Sequence, residues 1–333
     1  MLRVVGVALG LICLLVFTQV YQEHVVLTQP RKARYYCAFS PQDYDNETSL
    51  NQTKFLNQLD IVVDLGFDGV ILHRVESFYD EGLLDWVLEA CDNRSLDVMF
   101  AIYYFNRTLH FPFPKDQKWN KTGFMTSDAE LNLYVEWLQN VSSIAVAHAN
   151  FKGYILFYVF QDEMRDWWKT QITTVDYQRR MQLLISTLKT GKPLYLTAEP
   201  WGKDVIQLLP KNFINVDGFG LQAYNLHAID NIEWDYVTEQ KNYWDDWFGE
   251  IHIAEFGYRT TGEWTHGFAS SEQSKAEMIR EFIRKTWSWN SFVTYCFLED
   301  FILQKADFGL IYDNQTLKIS AYAFKEMLKN ESS

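Results

Sequence analysis

From residue 35 onward, short runs of β-branched and aromatic residues alternate with longer amphipathic stretches, and this alternation constrains the fold more than any single motif. The runs expected as strands occupy 35–39, 68–73, 97–103, 153–160, 193–198, 218–224, 251–255 and 292–297. Helical periodicity lies between and after them, at 51–65, 81–93, 128–148, 174–190, 235–248, 271–287 and 318–329. Glycine marks the helix-to-strand junctions, with Gly66, Gly153 and Gly191 before the second, fourth and fifth strands. The pattern predicts a parallel sheet with helices outside it, and eight units close it into a single (β/α)8 barrel over 34–330. The competing arrangement is an open doubly wound sheet. Against it, Ser40-Pro41-Gln42-Asp43 follows the first strand, where such a sheet carries a glycine-rich phosphate turn.

The charge narrows the partners. A net charge of −13 repels nucleic acid and anionic membrane surfaces, so neither is an expected partner. Aromatic residues make up 17 % of the chain and twelve are Trp, more than a core of this size calls for and suited to the flat apolar faces of sugars.

Ahead of the barrel, Met1-Leu2-Arg3 precedes an uninterrupted apolar run from Val4 to Phe17, the layout of a secretory signal or a signal anchor over 1–21, with 22–33 as a stalk. No Ala-x-Ala cleavage site follows, which favours an uncleaved anchor, and extension to Tyr21 reaches the roughly 17 residues that a tilted span needs. Arg31, Lys32 and Arg34 on the far side weigh against that orientation. Eight Asn-x-Ser/Thr sequons, at Asn46, Asn51, Asn93, Asn106, Asn120, Asn140, Asn314 and Asn330, exceed the about two that chance provides and point to a glycosylated, extracytoplasmic protein, anchored or secreted. Membrane contact is expected only through the N-terminal segment. Cys37, Cys91 and Cys296 are an odd set outside the apolar run. They are expected as buried free thiols, although Cys37 and Cys296 fall in first and last strands that neighbour each other in a closed barrel.

Two strand ends carry acids. Ile251-His252-Ile253-Ala254-Glu255 stops at a carboxylate followed by Phe256-Gly257, and Tyr154–Phe160 is followed by Gln161-Asp162-Glu163. In a (β/α)8 barrel the C-terminal strand ends converge on one pocket, so Glu163 and Glu255 are expected to face each other across its mouth. Simple alternation puts Glu255 on one face with Ile253 and Ile251, and Glu163 with Gln161, Val159 and Phe157, so that both extend inward-facing apolar rows. By the same parity His252 points away from Glu255 as a packing histidine, while His73 stands at a strand mouth as a candidate binder. Paired carboxylates suit glycosidic hydrolysis, in which one protonates the leaving oxygen and the other attacks or supports the anomeric carbon. Apolar surroundings would raise the acid's pKa, and hydrogen-bond donors would keep the nucleophile ionised.

On these residues the chain resembles the clan A glycoside hydrolases. Ala254-Glu255-Phe256-Gly257 is similar to that clan's strand-seven signature, and Phe308-Gly309-Leu310-Ile311-Tyr312-Asp313 with Lys318 and Ala321-Tyr322 is similar to the tail after strand eight. The resemblance implies a retaining enzyme with Glu163 as acid/base and Glu255 as nucleophile, Tyr224 hydrogen-bonded to the nucleophile, and Arg74 in the place of the strand-two arginine. Two departures stand out. Asp162 occupies the position of the clan's asparagine, which holds the sugar 2-hydroxyl, and adds a charge that raises the pKa of Glu163. Phe297 ends strand eight where a Trp platform is usual.

Other mouth residues have two readings each. Glu199 and Glu299 are either hydroxyl binders or solvated loop acids. Trp168 and Trp201, like Trp167, Trp234 and Trp264, either stack on sugar or pack. The long connection from Tyr104 to Asp128, with Phe111-Pro112-Phe113-Pro114, projects from the mouth face as part of the site or as a glycan-shielded excursion. There is no His-Glu-x-x-His, Cys-x-x-Cys, Gly-x-Ser-x-Gly or phosphate loop, so no metal and no cofactor is expected. The expected function is a retaining glycoside hydrolase acting on an oligosaccharide, polysaccharide or glycoconjugate. The alternatives are a non-catalytic carbohydrate-binding barrel and, third, a barrel enzyme of metal-assisted chemistry.

Overall fold

A computed structural model describes residues 30–39, 49–103, 128–157, 173–198, 215–224, 229–261, 268–300 and 307–329. Eight parallel strands follow one another around a closed barrel, and the last pairs with the first, Arg34 opposite Phe292. They are β1 Arg34–Phe39, β2 Gly69–Leu72, β3 Asp97–Tyr103, β4 Phe151–Phe157, β5 Leu194–Ala198, β6 Gly218–Gln222, β7 Ile251–Phe256 and β8 Phe292–Tyr295. The helices among the described residues are α1 Gln52–Leu65, α2 Val75–Asp80, α3 Leu84–Asp92, α4 Asp128–Ala145, α5 Thr174–Leu188, α6 Trp234–Phe248, α7 Glu272–Thr286 and α8 Ile319–Lys329. Closure excludes the open doubly wound sheet. The short α2 escapes the periodicity reading because six residues do not complete two turns.

Local chemistry sets the ends of these elements. Asn51 caps α1 by accepting the Lys54 amide at 3.0 Å, and Phe55, Leu59 and Val62 follow as a buried stripe. Gly66 then stops the helix in the left-handed region at φ 88°, its amide donating to the carbonyls of Val62 and Val63.

Side chains divide between two apolar layers. Tyr36, Ile71, Met99, Ala101, Ile155, Ala254 and Phe292, from six different strands and with Tyr195 from a seventh packed against them, fill the barrel interior. Tyr35, Cys37, Val70, Ile251, Ile253 and Phe256 belong instead to the layer between barrel and helices. This corrects the parity expected for β7, since Ile251 and Ile253 face the helices and His252 faces the interior. Its imidazole stacks on Phe292 with centroids 4.3 Å apart and meets the Tyr195 ring edge-on, while Nδ1 accepts the Phe292 amide at 3.3 Å. Burial lowers its pKa to about 4, which makes it a neutral packing histidine, as expected, inside the barrel.

Cys37, Cys91 and Cys296 are free and buried. Among the described residues no helix is long and apolar enough to cross a membrane, and the apolar N-terminal run lies outside them.

Candidate active site

Strand β7 carries one residue more than either neighbour. Against β6, Leu221 pairs with Ile253 but Gln222 pairs with Glu255; against β8, Val293 pairs with Ile253 and Tyr295 with Phe256. A β-bulge of this kind turns a side chain to the opposite face. Ala254 faces the interior and Phe256 faces the helices, so the extra residue lets Glu255 follow Ala254 on the inner side at the mouth. Sequence alternation therefore placed Glu255 correctly at the mouth for the wrong reason. Small residues make room for the irregularity: a Cβ on Gly220 would lie 2.5 Å from that of Ala254.

Tyr224, two residues beyond β6, donates its hydroxyl hydrogen to Glu255 Oε2 at 3.1 Å. The Ala223 amide donates to the Glu255 carbonyl at 2.7 Å, which ties the two strand ends together. Glu255 is only 9 % exposed. Burial pushes its carboxyl from 4.5 up to about 7, and the hydrogen bond from Tyr224 pulls the other way without offsetting it. Among the described residues the expected donor to this carboxylate is the Tyr224 phenol. Burial, with the neighbouring Cys296 and Glu255 adding to it, holds the phenol protonated far above its usual range, so Tyr224 remains a donor at any physiological pH.

The other mouth residues fall into three groups. Arg74 is buried at the end of β2 as the N-cap residue of α2, and its charge acts on His73 and Glu76. His73 is buried edge-to-face against Phe297, centroids 5.2 Å apart, and desolvation, then the Arg74 charge, lowers its pKa to about 3. His73 and Phe297 thus form one neutral aromatic wall. Glu299 is buried and faces Lys54 of α1 at 3.1 Å, so it is not a solvated loop acid. Glu163, Asp162, Glu199, Trp201 and Trp168 lie outside the described residues, as does the 104–127 connection.

Sequence reasoning missed what stands behind Tyr224. The segment after β8 folds back so that Phe308 meets the Tyr224 ring, centroids 5.9 Å apart. Three consecutive carbonyls hold it there. The fully buried Lys275 ammonium donates to Asp307 O at 2.8 Å and Gly309 O at 3.0 Å, and Tyr295 Oη donates to Phe308 O at 2.8 Å. Lys318 closes the segment onto Asp300, with Nζ to Oδ1 at 2.6 Å. The Phe308–Asp313 run with Lys318 was legible as a motif, but its purpose was not.

No protein-family model and no curated protein sequence matches the chain. Solved structures do. A GH5_18 protein from Streptomyces cattleya in complex with GlcNAc superposes with a TM-score of 0.65 at 14 % identity, over 92 % of this chain and 82 % of that one. An exo-β-1,4-mannosidase from Opitutaceae bacterium strain TAV5 gives 0.60 at 13 %, over 90 % and 59 %. A β-glucuronidase from Bacteroides uniformis gives 0.64 at 12 %, over 91 % of this chain and 36 % of that one. At these identities the likeness is one of fold alone: the chain shares the closed (β/α)8 barrel with these solved structures.

Proposed function

We propose that this protein is a retaining glycoside hydrolase that cleaves O-glycosidic bonds by double displacement, with Glu255 as nucleophile and Glu163 as acid/base. The observation that carries the reading is the buried Glu255 carboxylate at the barrel mouth with the Tyr224 hydroxyl donating to it. In the first step Glu255 attacks the anomeric carbon while Glu163 protonates the departing oxygen; in the second Glu163 takes a proton from water, which displaces Glu255. This requires carboxyls about 5 to 5.5 Å apart, and a separation near 8 Å would replace the retaining course with an inverting one. Tyr224 orients the nucleophile, the His73–Phe297 wall fits an apolar sugar face, and Arg74 and Asp162 are assigned to the mouth's polar lining with Glu199, Trp168 and Trp201. Two neighbours in fold are named for β-glycosides, which makes β-linked sugars the first panel to try.

The apolar N-terminus and the sequons support placement outside the cytoplasm, anchored by or released from that segment. Asn51, Asn93, Asn140 and Asn314, the sequon asparagines among the described residues, are all exposed. The test of the enzyme is intact-mass spectrometry after incubation with activated 2-fluoro glycosides, then peptide mapping. A stoichiometric adduct on Glu255 is expected. Sugar binding with no adduct across a broad panel would favour the carbohydrate-binding barrel, to which the departures at Asp162 and Phe297 lend their weight.

A further inference from the structure

After β8 the chain closes into a tight hairpin at a sequon. Ile311 and Leu317 pair antiparallel, the Lys318 amide donates to Leu310 O at 2.8 Å, and the Tyr312 amide donates to Thr316 O at 2.9 Å. Asp313, Asn314 and Gln315 make the turn, with the Gln315 amide donating to Tyr312 O at 2.8 Å and Gln315 itself left-handed at φ 65°. Gln315 and Thr316 thus both stand opposite Tyr312, a bulge that sets the third residue of Asn314-Gln315-Thr316 across from an aromatic side chain. Thr316 in turn fixes the asparagine: its amide and hydroxyl donate to Asn314 Oδ1 at 3.1 and 2.6 Å. Both bonds engage the oxygen of an exposed carboxamide, and Nδ2 is the atom to which a glycan attaches. The Tyr312 ring is 49 % exposed, with Lys318 Nζ 5.4 Å from its centroid. Lys318 is buried and bound to Asp300, so its ammonium covers the inward face of the ring and the other face is open to solvent. The remaining sequon asparagines among the described residues belong to helices: Asn51 caps α1 with its side chain, Asn93 follows α3 and Asn140 lies within α4.

We propose that Asn314 carries an N-linked glycan whose first sugar packs on the solvent face of Tyr312, so that carbohydrate completes this hairpin. The inference rests on the extracytoplasmic reading and not on the glycosidase one. The transfer joins Asn314 Nδ2 to the anomeric carbon of a polyprenyl diphosphate oligosaccharide. That carbon's bond to the phosphate oxygen breaks, and the diphosphate lipid and one amide proton leave. A pyranose ring has an apolar face of C–H groups that suits an aromatic ring, and Tyr312 offers one two residues before the asparagine. The glycan steadies the segment that runs back behind Tyr224, since Lys318 follows the hairpin directly and holds Asp300.

The test uses the full chain made in a eukaryotic secretory host. Peptide N-glycosidase in heavy-oxygen water converts each occupied asparagine to a labelled aspartate, and mapping is expected to find the label at Asn314. Asn314→Gln is then expected to lower the thermal midpoint by about 2 °C in the otherwise unaltered chain and to change it little in a Tyr312→Thr background. Should Tyr312→Thr not fold, nuclear Overhauser contacts between the Tyr312 ring and the first sugar take its place, and they are expected. Label at other sequons but not at Asn314 overturns the inference and leaves the extracytoplasmic reading standing; label at none overturns both. An occupied Asn314 whose replacement has the same effect in both backgrounds, or none in either, overturns the packing on Tyr312, as does the absence of ring-to-sugar contacts. None of these results touches the glycosidase reading, which stands or falls on the 2-fluoro adduct.

Discussion

Replacing Glu255 with Gln should stabilise the protein, and by an amount that depends on pH. The carboxyl's ordinary value of 4.5 rises to about 7 on folding because the group is taken out of water. Between those values the folded chain keeps a proton that the unfolded chain has released, so wild-type stability falls as pH rises through this window. Roughly two and a half pH units at about 1.36 kcal/mol each come to about 3 kcal/mol, borne in full above pH 7 and absent below pH 4.5. Glutamine has the same shape, still accepts from Tyr224, and carries no charge to desolvate. Urea unfolding of both proteins from pH 4.5 to 8.5 should show the difference growing to about 3 kcal/mol in favour of Glu255→Gln and then levelling. A difference that stays flat, or a wild type that gains on the variant as pH rises, would refute the reasoning. Either result would mean that Glu255 is already ionised in the fold. If the expectation holds, this strand end is a place where stability is given up for a reactive group.

The same titration should govern turnover, since a nucleophile acts only when ionised. We expect kcat/KM on a reactive glycoside to fall as pH drops below about 7, and an acid limb near 4.5 would mean that the fold leaves the Glu255 carboxyl at its ordinary value. Gly257→Ala should destabilise the barrel by about 2 kcal/mol in thermal or urea unfolding, because the new Cβ would lie 2.4 Å from Cys296 O and the strapped strand ends have little room to move; an unaltered midpoint would contradict that packing. Lys318→Ala leaves the Asp300 carboxylate without its ammonium and frees the segment behind Tyr224, so a loss of about 2 kcal/mol in stability is expected, with loss of activity beyond what unfolding explains. Protein made in a eukaryotic secretory pathway should lose mass on treatment with a peptide N-glycosidase, and mapping should find glycan on one or more of the exposed Asn51, Asn93, Asn140 and Asn314.

The barrel was legible because both of its periods are local. A strand shows as a run of apolar and β-branched residues and a helix as an amphipathic repeat, so their order along the chain was enough to predict eight parallel strands with helices outside. The ends of β3 match the expected 97–103, and those of the other strands differ by one or two residues within the described region. Tyr224 and Glu255 were legible for a related reason, since a strand's last residues lie at the mouth whatever the detailed packing, and the signature around Glu255 named the strand. The buried free thiols followed from their odd number and apolar surroundings.

The side chains' directions were not legible. Strict alternation sent Ile253 inward with Glu255, yet one extra residue in β7, felt only through its pairing with β6 and β8, puts Ile253 against the helices and Glu255 at the mouth. Electrostatics were also beyond the sequence, because desolvation depends on everything that surrounds a group. A glutamate between Ala254 and Phe256 reads the same whether its pKa is 4.5 or about 7, and Glu299 reads as a solvated acid until Lys54, from a helix almost the whole chain away, is seen to face it. The strapping of Phe308 behind Tyr224 by Lys275 belongs here too, since it acts through contacts that only barrel closure creates. Local periodicity thus determined the elements and their order; the tertiary structure decided which way each side chain faces, what it meets there and how far it is removed from water.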